Sequence, residues 1–313
     1  MIGRYQRELS VAAAYALLLL ALAVTAQVRH SPSFFQDQFR QSLVSSAPVL
    51  VAAVGMTLVI LARQIDISIG SQFSICGVVA GLLAKEGLPM PAVAAGTVAA
   101  GALMGAVNGT LVAGMGLPSI VVTLATMVTL REGLRWAREG EFVRDLPAGF
   151  QWFGLSQSAG QWLLVGISLA VFVVFAWGLR NLAAGRAVYA TGSDPEAARL
   201  AGIRPRLVTF GVFVMMGALA GLASLLNAVR FPLIDPGSGS GLELQVIAAV
   251  VVGGTAVSGG RGTLLGTLLG VLLLCTIGPA MSFLGVAPQW EKALQGAIIL
   301  AAVASDGLSR RRA

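Results

Sequence analysis

Residues 180–206, R-N-L-A-A-G-R-A-V-Y-A-T-G-S-D-P-E-A-A-R-L-A-G-I-R-P-R, form the longest water-loving stretch in the second half of the chain, between two apolar runs. Asp194 is a favourable N-cap, Pro195 suits the first helical turn, and Gly202 favours the left-handed end of a helix. The stretch therefore predicts a helix of about two turns that begins at Pro195 and ends before Gly202. Because so short a helix is marginal in water, we expect a partner protein at the membrane surface to hold it.

The composition of the chain indicates a membrane protein. Of its 313 residues, 56% are hydrophobic and 11% are charged, and the mean hydropathy is +0.83. A soluble domain carries about 25% charged residues. The net charge of +7 comes from arginines scattered between apolar runs, without the basic stripe and interleaved aromatics typical of nucleic-acid binding. These features exclude a soluble nucleic-acid-binding domain.

The uncharged runs predict ten membrane crossings, since about 20 apolar residues cross the hydrocarbon. The crossings are residues 9–28, 43–62, 67–84, two within 88–130, 161–179, 207–229, 244–260, 262–281 and 293–305, the last of which needs 288–290 to reach spanning length. The break within 88–130 is predicted at 114–118, and the mixed, charged residues 131–160 are predicted to form a loop. The first run also fits a cleavable signal peptide, but the many later runs favour a retained helix.

The distribution of charge tests this count. With ten crossings, the predicted cytoplasmic loops and ends hold 12 basic and 5 acidic residues, while the outer loops hold 9 of each. The whole net charge then lies inside, as the positive-inside rule requires. The sequence therefore predicts an all-α integral membrane protein of one domain, residues 1–313, with about ten transmembrane helices. Both termini are predicted to be cytoplasmic, with a short cytoplasmic helix in the loop 180–206.

Two polar side chains lie at the start of or within apolar runs, where burying an unpaired polar group in lipid would cost free energy. Asp66 opens the third run in I-D-I-S-I-G-S, residues 65–71, where it can cap the helix backbone or line a pore, and both alternatives stay open. Asn108 is expected to bond to a neighbouring helix, with the lining of a passage as the alternative.

The glycines divide into two groups with different expected roles. Gly96, Gly101, Gly105 and Gly109 recur at spacings that let helices approach closely, which favours packing. The glycine-rich residues 252–267 lack the G-x-x-x-x-G-K-[ST] order of a phosphate-binding loop. Closely packed or broken helices beside a translocation path explain this second group better.

The chain lacks the residue groups of a catalytic or metal site. Cys76 and Cys275 lie in separate apolar runs without metal-binding spacing and are predicted to be small core residues, not a disulfide. The single histidine, His30, is predicted to lie in a short loop. We find no paired carboxylates and expect no metal or cofactor. Uphill transport would then take its energy from a separate chain or from an ion gradient.

Four ordered motifs resemble one family. They are I-D-I-S-I-G-S (65–71), N-G-T-L-V (108–112) with L-P-S-I-V-V-T-L-A-T-M (117–127), G-R-A-V-Y-A-T-G-S-D-P-E-A-A-R-L-A-G-I (185–203), and E-L-Q-V-I-A-A-V-V-V-G-G-T-A-V-S-G-G-R-G-T-L-L-G-T (243–267). Together they resemble the permease subunits of bacterial ABC sugar importers of the ribose, rhamnose and autoinducer-2 type. Two departures are T-G-S-D at 191–194, where the family commonly has Gly-Gly-Asn or Gly-Asn-Asn, and the unusually charged loop at 131–160.

The resemblance implies a multi-pass protein of the bacterial inner membrane, in contact with lipid and not with nucleic acid. It implies two ABC ATPase subunits in the cytoplasm, a periplasmic sugar-binding protein, and a second permease copy or a sister permease. The positions that match the family's ATPase-coupling segment are Gly185, Arg186, Gly192, Asp194, Pro195, Glu196, Ala197, Ala198, Arg199, Leu200, Gly202 and Ile203. The expected translocation path includes Asp66, Ser68, Asn108, Thr123, Glu243, Gly253 and Gly254.

Three functional classes remain to be compared. An ABC permease moves its solute when a partner ATPase pushes the coupling helix, with Arg186, Arg199 and Arg204 facing that partner or, alternatively, the lipid headgroups. A gradient-driven sugar transporter usually carries an intramembrane acid or histidine relay, which is sparse here. A membrane-embedded enzyme needs paired catalytic groups, which the sequence lacks. The ABC permease is favoured, while the sugar and the choice between homodimer and heterodimer stay open.

Overall fold

The computed structural model describes residues 6–28 and 32–287, together with 290, 293, 294, 296, 297 and 300. In this part of the chain, helices are joined by turns, and the only β-pairing is an isolated bridge between Val143 and Ile234. The helices are α1 (Gln6–Val28), α2 (Pro32–Leu61), α3 (Ile69–Lys85), α4 (Met90–Gly109), α5 (Ser119–Arg138), α6 (Gln157–Asn181), α7 (Ala183–Ser193), α8 (Pro195–Leu200), α9 (Pro205–Ala228), α10 (Leu242–Val252) and α11 (Leu264–Leu284). The predicted all-α fold is confirmed for these residues.

Five helical segments in the described residues are long and apolar enough to cross a membrane. They are Phe39–Leu61, Met90–Gly114, Gln157–Asn181, Pro205–Ala228 and Leu264–Phe283. Three further apolar helical segments are shorter: Leu9–Thr25, Ile69–Lys85 and Leu242–Val252. A multi-pass membrane protein follows, whereas the count of ten crossings stays a prediction. His30, Arg4, most of the predicted tenth crossing (293–305) and the charged residues of the C-terminal end lie outside the described residues.

Helix α2 is the centre of the molecule. Its apolar second half, from Ala47 to Leu61, is almost completely buried and contacts α6, α9, α10 and α11. The helix begins at Pro32, well before the predicted start at residue 43. The segment of this helix that is long and apolar enough to cross a membrane, Phe39–Leu61, agrees with the predicted crossing 43–62, and the helix itself extends further through residues such as Arg40.

Helices α4 and α9 make the most extensive helix–helix contact. A Cβ added at Gly101 would overlap the carbonyl oxygen of Gly217, and one added at Gly105 would overlap that of Phe213. Gly221 lies equally close to the backbone of Thr97. Small residues allow such approach between helices in lipid, so the predicted packing role of the first glycine group is confirmed at these positions.

The contacts define two ends of the molecule. At the first, called the α8 end, Gly260 N–H donates to the carbonyl oxygen of Leu61 at 2.9 Å, and Gly192 packs against both residues. At the opposite end, called the loop end, Val143 pairs with Ile234, and Trp152 N–H donates to the carbonyl oxygen of Val229 at 2.8 Å. The antiparallel helices run between these ends.

Helices α3 and α10 are short and begin inside the molecule. Ser71 Oγ donates to the carbonyl oxygen of Met127 at 2.8 Å, and Met127 lies about 12 Å along α5 from its start at Ser119. The backbone of Gly239, just before α10, contacts that of Gly70 in the first turn of α3. The two helix N-termini therefore meet between the ends of the molecule.

The predicted eighth crossing, 244–260, is wrong as a continuous helix. The helix ends at Val252, and the chain then turns through Gly254 (φ 93°), Gly259 (φ 81°) and Gly260 (φ 70°). These left-handed conformations suit glycine and cannot belong to a right-handed helix. The prediction treated an uncharged run as a span and did not weigh the backbone freedom of its glycines.

The predicted loop 131–160 is wrong over its first eight residues, because α5 continues to Arg138, and over its last four, because α6 begins at Gln157. Arg135 pairs with Glu132 at 3.1 Å, three residues earlier on the helix. Pairs at this spacing, and basic residues in the last turn, favour a helix. The helix ends where Glu139 (φ 50°) and Gly140 (φ 80°) become left-handed. Four charged residues expected in a loop thus lie on α5.

Candidate functional site

Four buried polar side chains, Asp66, Ser68, Gln72 and Asn108, form one hydrogen-bonded group, called the Asp66 cluster. Asp66 Oδ1 accepts from the N–H and the Oγ of Ser68, at 2.9 Å and 2.6 Å. Ser68 Oγ accepts in turn from Gln72 Nε2 at 2.7 Å and from Asn108 Nδ2 at 2.8 Å. Gln72 Nε2 also lies 3.3 Å from Asp66 Oδ2. The cluster joins the α2–α3 connection, the first turn of α3 and the end of α4.

The cluster resolves part of what the sequence left open. Asp66 accepts from the N–H of Ser68 in the turn before α3 and not from a backbone N–H group of the helix itself, and it is fully enclosed in this conformation. The predicted bond from Asn108 to a neighbouring helical segment is confirmed, with Ser68 as the partner. Gln72 was missed, although an amide four residues after Ser68 in an apolar helix was a usable signal. Its Oε1 is buried without a hydrogen-bond partner.

Thr123 lies beside the cluster without joining it. Its Oγ1 donates to the carbonyl oxygen of Ser119 at 2.8 Å and lies 3.3 Å from that of Ile65. The residue is fully buried in the second turn of α5. Thr123 therefore fixes α5 against the segment that carries Asp66.

Glu243 lies in the first turn of α10, against Gly70 of α3. Its side chain is 10% exposed, and its Oε1 lies 3.4 Å from Arg131 Nη2. Its Oε2 is buried and has no hydrogen-bond partner. Because Gly70 is two residues from Ser68, Glu243 and the Asp66 cluster occupy neighbouring turns. Arg131 was missed as a partner because residue 131 was predicted to lie in a loop.

The two glycines predicted for the path lie elsewhere. Gly253 packs against the backbone of Gly266 on α11, and Gly254 is the left-handed residue that turns the chain after α10. Both belong to the connection from α10 towards the α8 end. Their positions indicate close packing and chain reversal.

The predicted capped helix is present as α8. Asp194 Oδ1 accepts from the N–H groups of Glu196 at 2.9 Å and Ala197 at 3.1 Å, and Gly202 is left-handed, with φ 82°. Helix α7, which precedes it, was not predicted. Helix α8 contacts α7 and α9, and its Ala198 is buried. Contacts within the chain therefore help to hold this helix, and the expected contact with a partner protein stays a prediction.

The residues of the predicted coupling segment divide by exposure. Gly185, Gly192 and Ala198 are buried and position the backbone, and Ile203 is half-buried. The exposed members are Arg186, Asp194, Pro195, Glu196, Ala197, Arg199, Leu200 and Gly202. Arg186 Nη1 donates to the carbonyl oxygen of Asn181 at the end of α6, at 3.2 Å. Arg199 pairs with Glu196 at 2.5 Å.

A sequence repeat was also missed. I-D-I-S-I-G-S at 65–71 recurs as I-D-P-G-S-G-S at 234–240, and each copy follows a long helix and precedes a short one. In the second copy Gly237 N–H donates to Asp235 Oδ1 at 2.7 Å, as Ser68 N–H does to Asp66 in the first. The two long helices, α2 and α9, pack against each other, so the repeat is present in the structure as well as in the sequence.

The described residues contain no group of three or more His, Cys, Asp or Glu side chains placed to hold a metal ion. Cys76 and Cys275 are both buried and unbonded to each other, as predicted. The arrangement of hydrogen bonds and one ion pair suits packing and solute contact.

Comparison with known proteins now decides the family. Residues 38–303 match the family described as branched-chain amino acid transport system / permease component. The chain belongs to that family. The autoinducer 2 import system permease protein LsrC of Salmonella typhimurium is 34% identical over 267 residues, covering 85% of this chain and 77% of the relative. LsrC of Escherichia coli O157:H7 is 32% identical over 316 residues, covering 99% and 90%. No solved structure matches the chain.

The family places this chain in a functional class. It is the permease subunit of an ABC importer and not an enzyme, and ATP hydrolysis belongs to a separate subunit. The resemblance given by the four motifs is thereby confirmed.

Proposed function

We propose that this permease carries a monosaccharide-sized sugar or sugar-like solute of the ribose, rhamnose or autoinducer-2 type. The similarity to autoinducer-2 permeases, which extends over 85–99% of the chain, is the observation that carries the proposal. The Asp66 cluster and Glu243 add buried carboxylate, amide and hydroxyl groups where α3 and α10 meet. Such groups hydrogen-bond to the hydroxyls of a sugar when helix movement exposes them.

Helix α8 is the proposed contact with the ABC ATPase. Leu200 is 81% exposed and stands beside the charged Arg199 on this short helix. The hydrogen bond and the charge of Glu196 raise the pKa of Arg199 above its ordinary value, so the guanidinium stays positive. An exposed leucine flanked by fixed charges suits a groove in a partner protein with an apolar floor and a polar rim.

The α8 end is the proposed cytoplasmic face of a bacterial inner membrane protein. The basic residues there are Arg63, Arg180, Arg186, Arg199, Arg204, Arg206 and Arg261, and the exposed acidic residues are Asp194 and Glu196. On α5 and in the loops of the opposite end, acidic residues balance the basic ones. The positive-inside rule assigns the basic end to the cytoplasm. Ten crossings and two cytoplasmic termini complete this proposal.

Helix α5 is the proposed contact with a second permease copy or a sister permease. Only Val122 and Thr123 are buried on this helix, whereas Glu132, Arg135 and Trp136 are exposed. Charged side chains that face lipid are costly, so an exposed charged helix suits a passage or a protein partner better. A pore between two permeases would cover this face.

Contacts within the chain connect α8 with the polar residues of the candidate translocation path. Helix α7 leads into α8, and its Gly192 packs against the carbonyl oxygen of Leu61 at the end of α2. The segment that follows Leu61 carries Asp66 and Ser68. In the proposed mechanism, closure of the ATPase dimer on ATP displaces α7 and α8. This displacement shifts the 62–68 segment and exposes the polar groups alternately to the two sides.

The test uses two kinds of proteoliposome. One contains the complete importer, including its ATPase and its binding protein, and the other contains the permease alone. The complete importer is expected to accumulate labelled autoinducer-2 or D-ribose on ATP, and the permease alone is expected to accumulate neither. Accumulation by the permease alone under an ion gradient would instead support a secondary transporter.

The contact through α8 has its own test. Leu200→Ser and Arg199→Glu are expected to lower ATP-driven uptake and co-purification of the ATPase at least tenfold, because a central apolar anchor is worth roughly 2 kcal/mol or more. Leu155→Ser at the loop end, also an exposed leucine, is the matched control and should change neither. Full coupling in both α8 variants would rule out this docking surface.

A further inference from the structure

A cavity of about 420 Å³ lies at the loop end, between α3, the end of α9 and residues 231–238. Four polar residues line it: Ser224, Asn227, Asp235 and Ser238. Gly77, Ala228 and Ile234 supply apolar walls. Pockets for small molecules have volumes of roughly 300–1,000 Å³, so the cavity has room for a monosaccharide-sized molecule.

Three polar groups around this cavity have free hydrogen-bonding capacity. Asp235 Oδ1 accepts from Gly237 N–H, and its Oδ2 has no partner among the described residues. Asn227 Oδ1 lies 3.4 Å from Arg230 Nη1, which leaves the Asn227 amide NH₂ group as a donor. Ser238 Oγ is likewise without a partner in the described part of the chain. An acceptor, a donor and a hydroxyl around one space suit a molecule with several hydroxyls.

An aromatic ring completes the wall. Phe231 is 45% exposed, and the Arg230 guanidinium carbon lies 5.4 Å from the centroid of its ring. This cation–π contact and the bond from Arg230 to Asn227 hold both side chains in place. The exposed part of the ring offers an apolar surface to the C–H face of a sugar.

One face of α3 connects the cavity to the Asp66 cluster through direct contacts with the segment before and in α10. Gly77 lines the cavity, Ser74 Oγ accepts from Gly239 N–H at 3.0 Å, and Gly70 lies against Glu243. Spacings of three and four residues place these positions on the same face of the helix. The segment from 235 to 243 thus leads from the cavity to the meeting point of α3 and α10.

The two copies of the repeat differ in a way that marks the cavity as a site. In the first copy, Asp66 is fully buried, and Gln72 occupies its second oxygen. In the second copy, the corresponding oxygen of Asp235 is unpaired at the cavity. The same turn is therefore sealed in one copy and open in the other.

We propose that this cavity is the first binding site of the permease for a polyhydroxylated solute, which Asp235, Asn227, Ser238 and Phe231 hold before it moves along α3. The proposal rests on the cargo proposed above and adds the place where the cargo binds. Asp235 is the decisive residue, because its unpaired carboxylate oxygen accepts from a solute hydroxyl.

Asp235→Asn is the sharpest variant. The asparagine oxygen still accepts from Gly237 N–H and keeps the turn, while the NH₂ group replaces the free acceptor with a donor. Asp145→Asn is the matched control, since Asp145 is another exposed aspartate at the loop end and asparagine tolerates its left-handed backbone (φ 56°). For both variants, ATP-driven uptake of D-ribose, L-rhamnose and autoinducer-2 is measured in proteoliposomes of the complete importer.

The expected result is a loss of ATP-driven uptake of roughly tenfold or more in Asp235→Asn, since a hydrogen bond to a charged group is worth about a factor of ten or more. Phe231→Ala is also expected to lower uptake, because it removes the apolar surface that contacts the C–H face of the sugar. ATPase co-purification and sugar-independent ATP hydrolysis should be unchanged, which shows that the variants fold and assemble. Asp145→Asn should transport normally. Normal uptake in both cavity variants would overturn the site while leaving the cargo intact. Transport of none of the three probes by the wild-type importer would overturn the cargo and the site together.

A second experiment distinguishes binding of the solute in the cavity from binding of the binding protein itself. Ser238→Cys in a chain with Cys76→Ala and Cys275→Ala is labelled with a membrane-impermeant thiol reagent from the side of the binding protein. The sugar-loaded binding protein is expected to slow labelling at least fivefold relative to the sugar-free form. Equal protection by the sugar-free form would show that the cavity receives the binding protein itself and would overturn the proposal.

Discussion

Ser68 joins three buried polar side chains that come from different parts of the chain. Its hydroxyl donates to Asp66 and accepts from Gln72 and Asn108. A buried carboxylate is stable only when hydrogen bonds replace its water shell, so the position of Asp66 depends on this hydroxyl. The sequence motif identified Asp66, Ser68 and Asn108 as polar residues at costly positions, but only the packing of α4 against α3 shows that they form one group.

Replacement of this hydroxyl should therefore destabilise the protein more than replacement of a similar one. Ser68→Ala removes one hydrogen bond from each of three buried side chains, Asp66, Gln72 and Asn108, and we expect a loss of about 2–4 kcal/mol in the free energy of unfolding. Ser71→Ala is the matched control, because Ser71 is also buried but makes one bond, to the carbonyl oxygen of Met127, and should cost about 1 kcal/mol. Thermal melting of the purified variants in detergent measures both, and equal shifts would argue against a network centred on Ser68.

Helix α9 shows how one element presents two different faces. Gly217 lies against the carbonyl oxygen of Gly101 and the backbone of Gly105, whereas Gly211 has no atom within 4 Å of an added Cβ. One face is thus fixed by backbone contact with α4, and the other is open. Because hydrophobic attraction between helices is weak in lipid, this close contact carries much of the association between α4 and α9.

The two glycines therefore predict opposite effects of the same substitution. Gly217→Ala forces α4 and α9 apart and is expected to cost about 1–3 kcal/mol, the usual range for overpacking, or to prevent stable expression. Gly211→Ala adds a methyl group to an open face and is expected to stabilise the helix by up to about 1 kcal/mol. Expression level and melting temperature of the two variants give the comparison. Comparable losses would contradict the assigned faces.

The elements also differ in how far the sequence alone predicts them. Helix α8 was predicted nearly to the residue because its limits are local: Asp194 caps it and Gly202 ends it. The end of α5 was placed eight residues too early, because its charged turns are stabilised by pairs such as Arg131 with Glu243, 112 residues apart. The short α10 escaped prediction because an uncharged run does not reveal where glycines turn the backbone. The candidate polar residues were recognised one by one, but their grouping and the cavity at Asp235 depend on long-range packing.

At the scale of the whole molecule, the basic residues gather at the α8 end, and the polar groups of the α3–α10 meeting point lie between the two ends. This arrangement fits the proposed mechanism, in which the α8 end receives the movement of the ATPase and the cavity at Asp235 binds the solute at the loop end. For the ATPase to contact α8 and the solute to enter at the loop end, the α8 end must face the cytoplasm.

Cysteine labelling in sealed, right-side-out membrane vesicles tests that orientation. The native thiols are buried and are replaced by Cys76→Ala and Cys275→Ala, which leaves a single introduced thiol as the reporter. Glu141→Cys, in the exposed loop between α5 and α6, is expected to react with a membrane-impermeant maleimide in intact vesicles. Glu196→Cys on α8 is equally exposed in the structure but is expected to react only after permeabilisation, because the membrane separates it from the reagent. Reaction at position 196 in sealed vesicles would place α8 on the outer face, where no cytoplasmic ATPase could reach it, and the coupling mechanism would have to be abandoned.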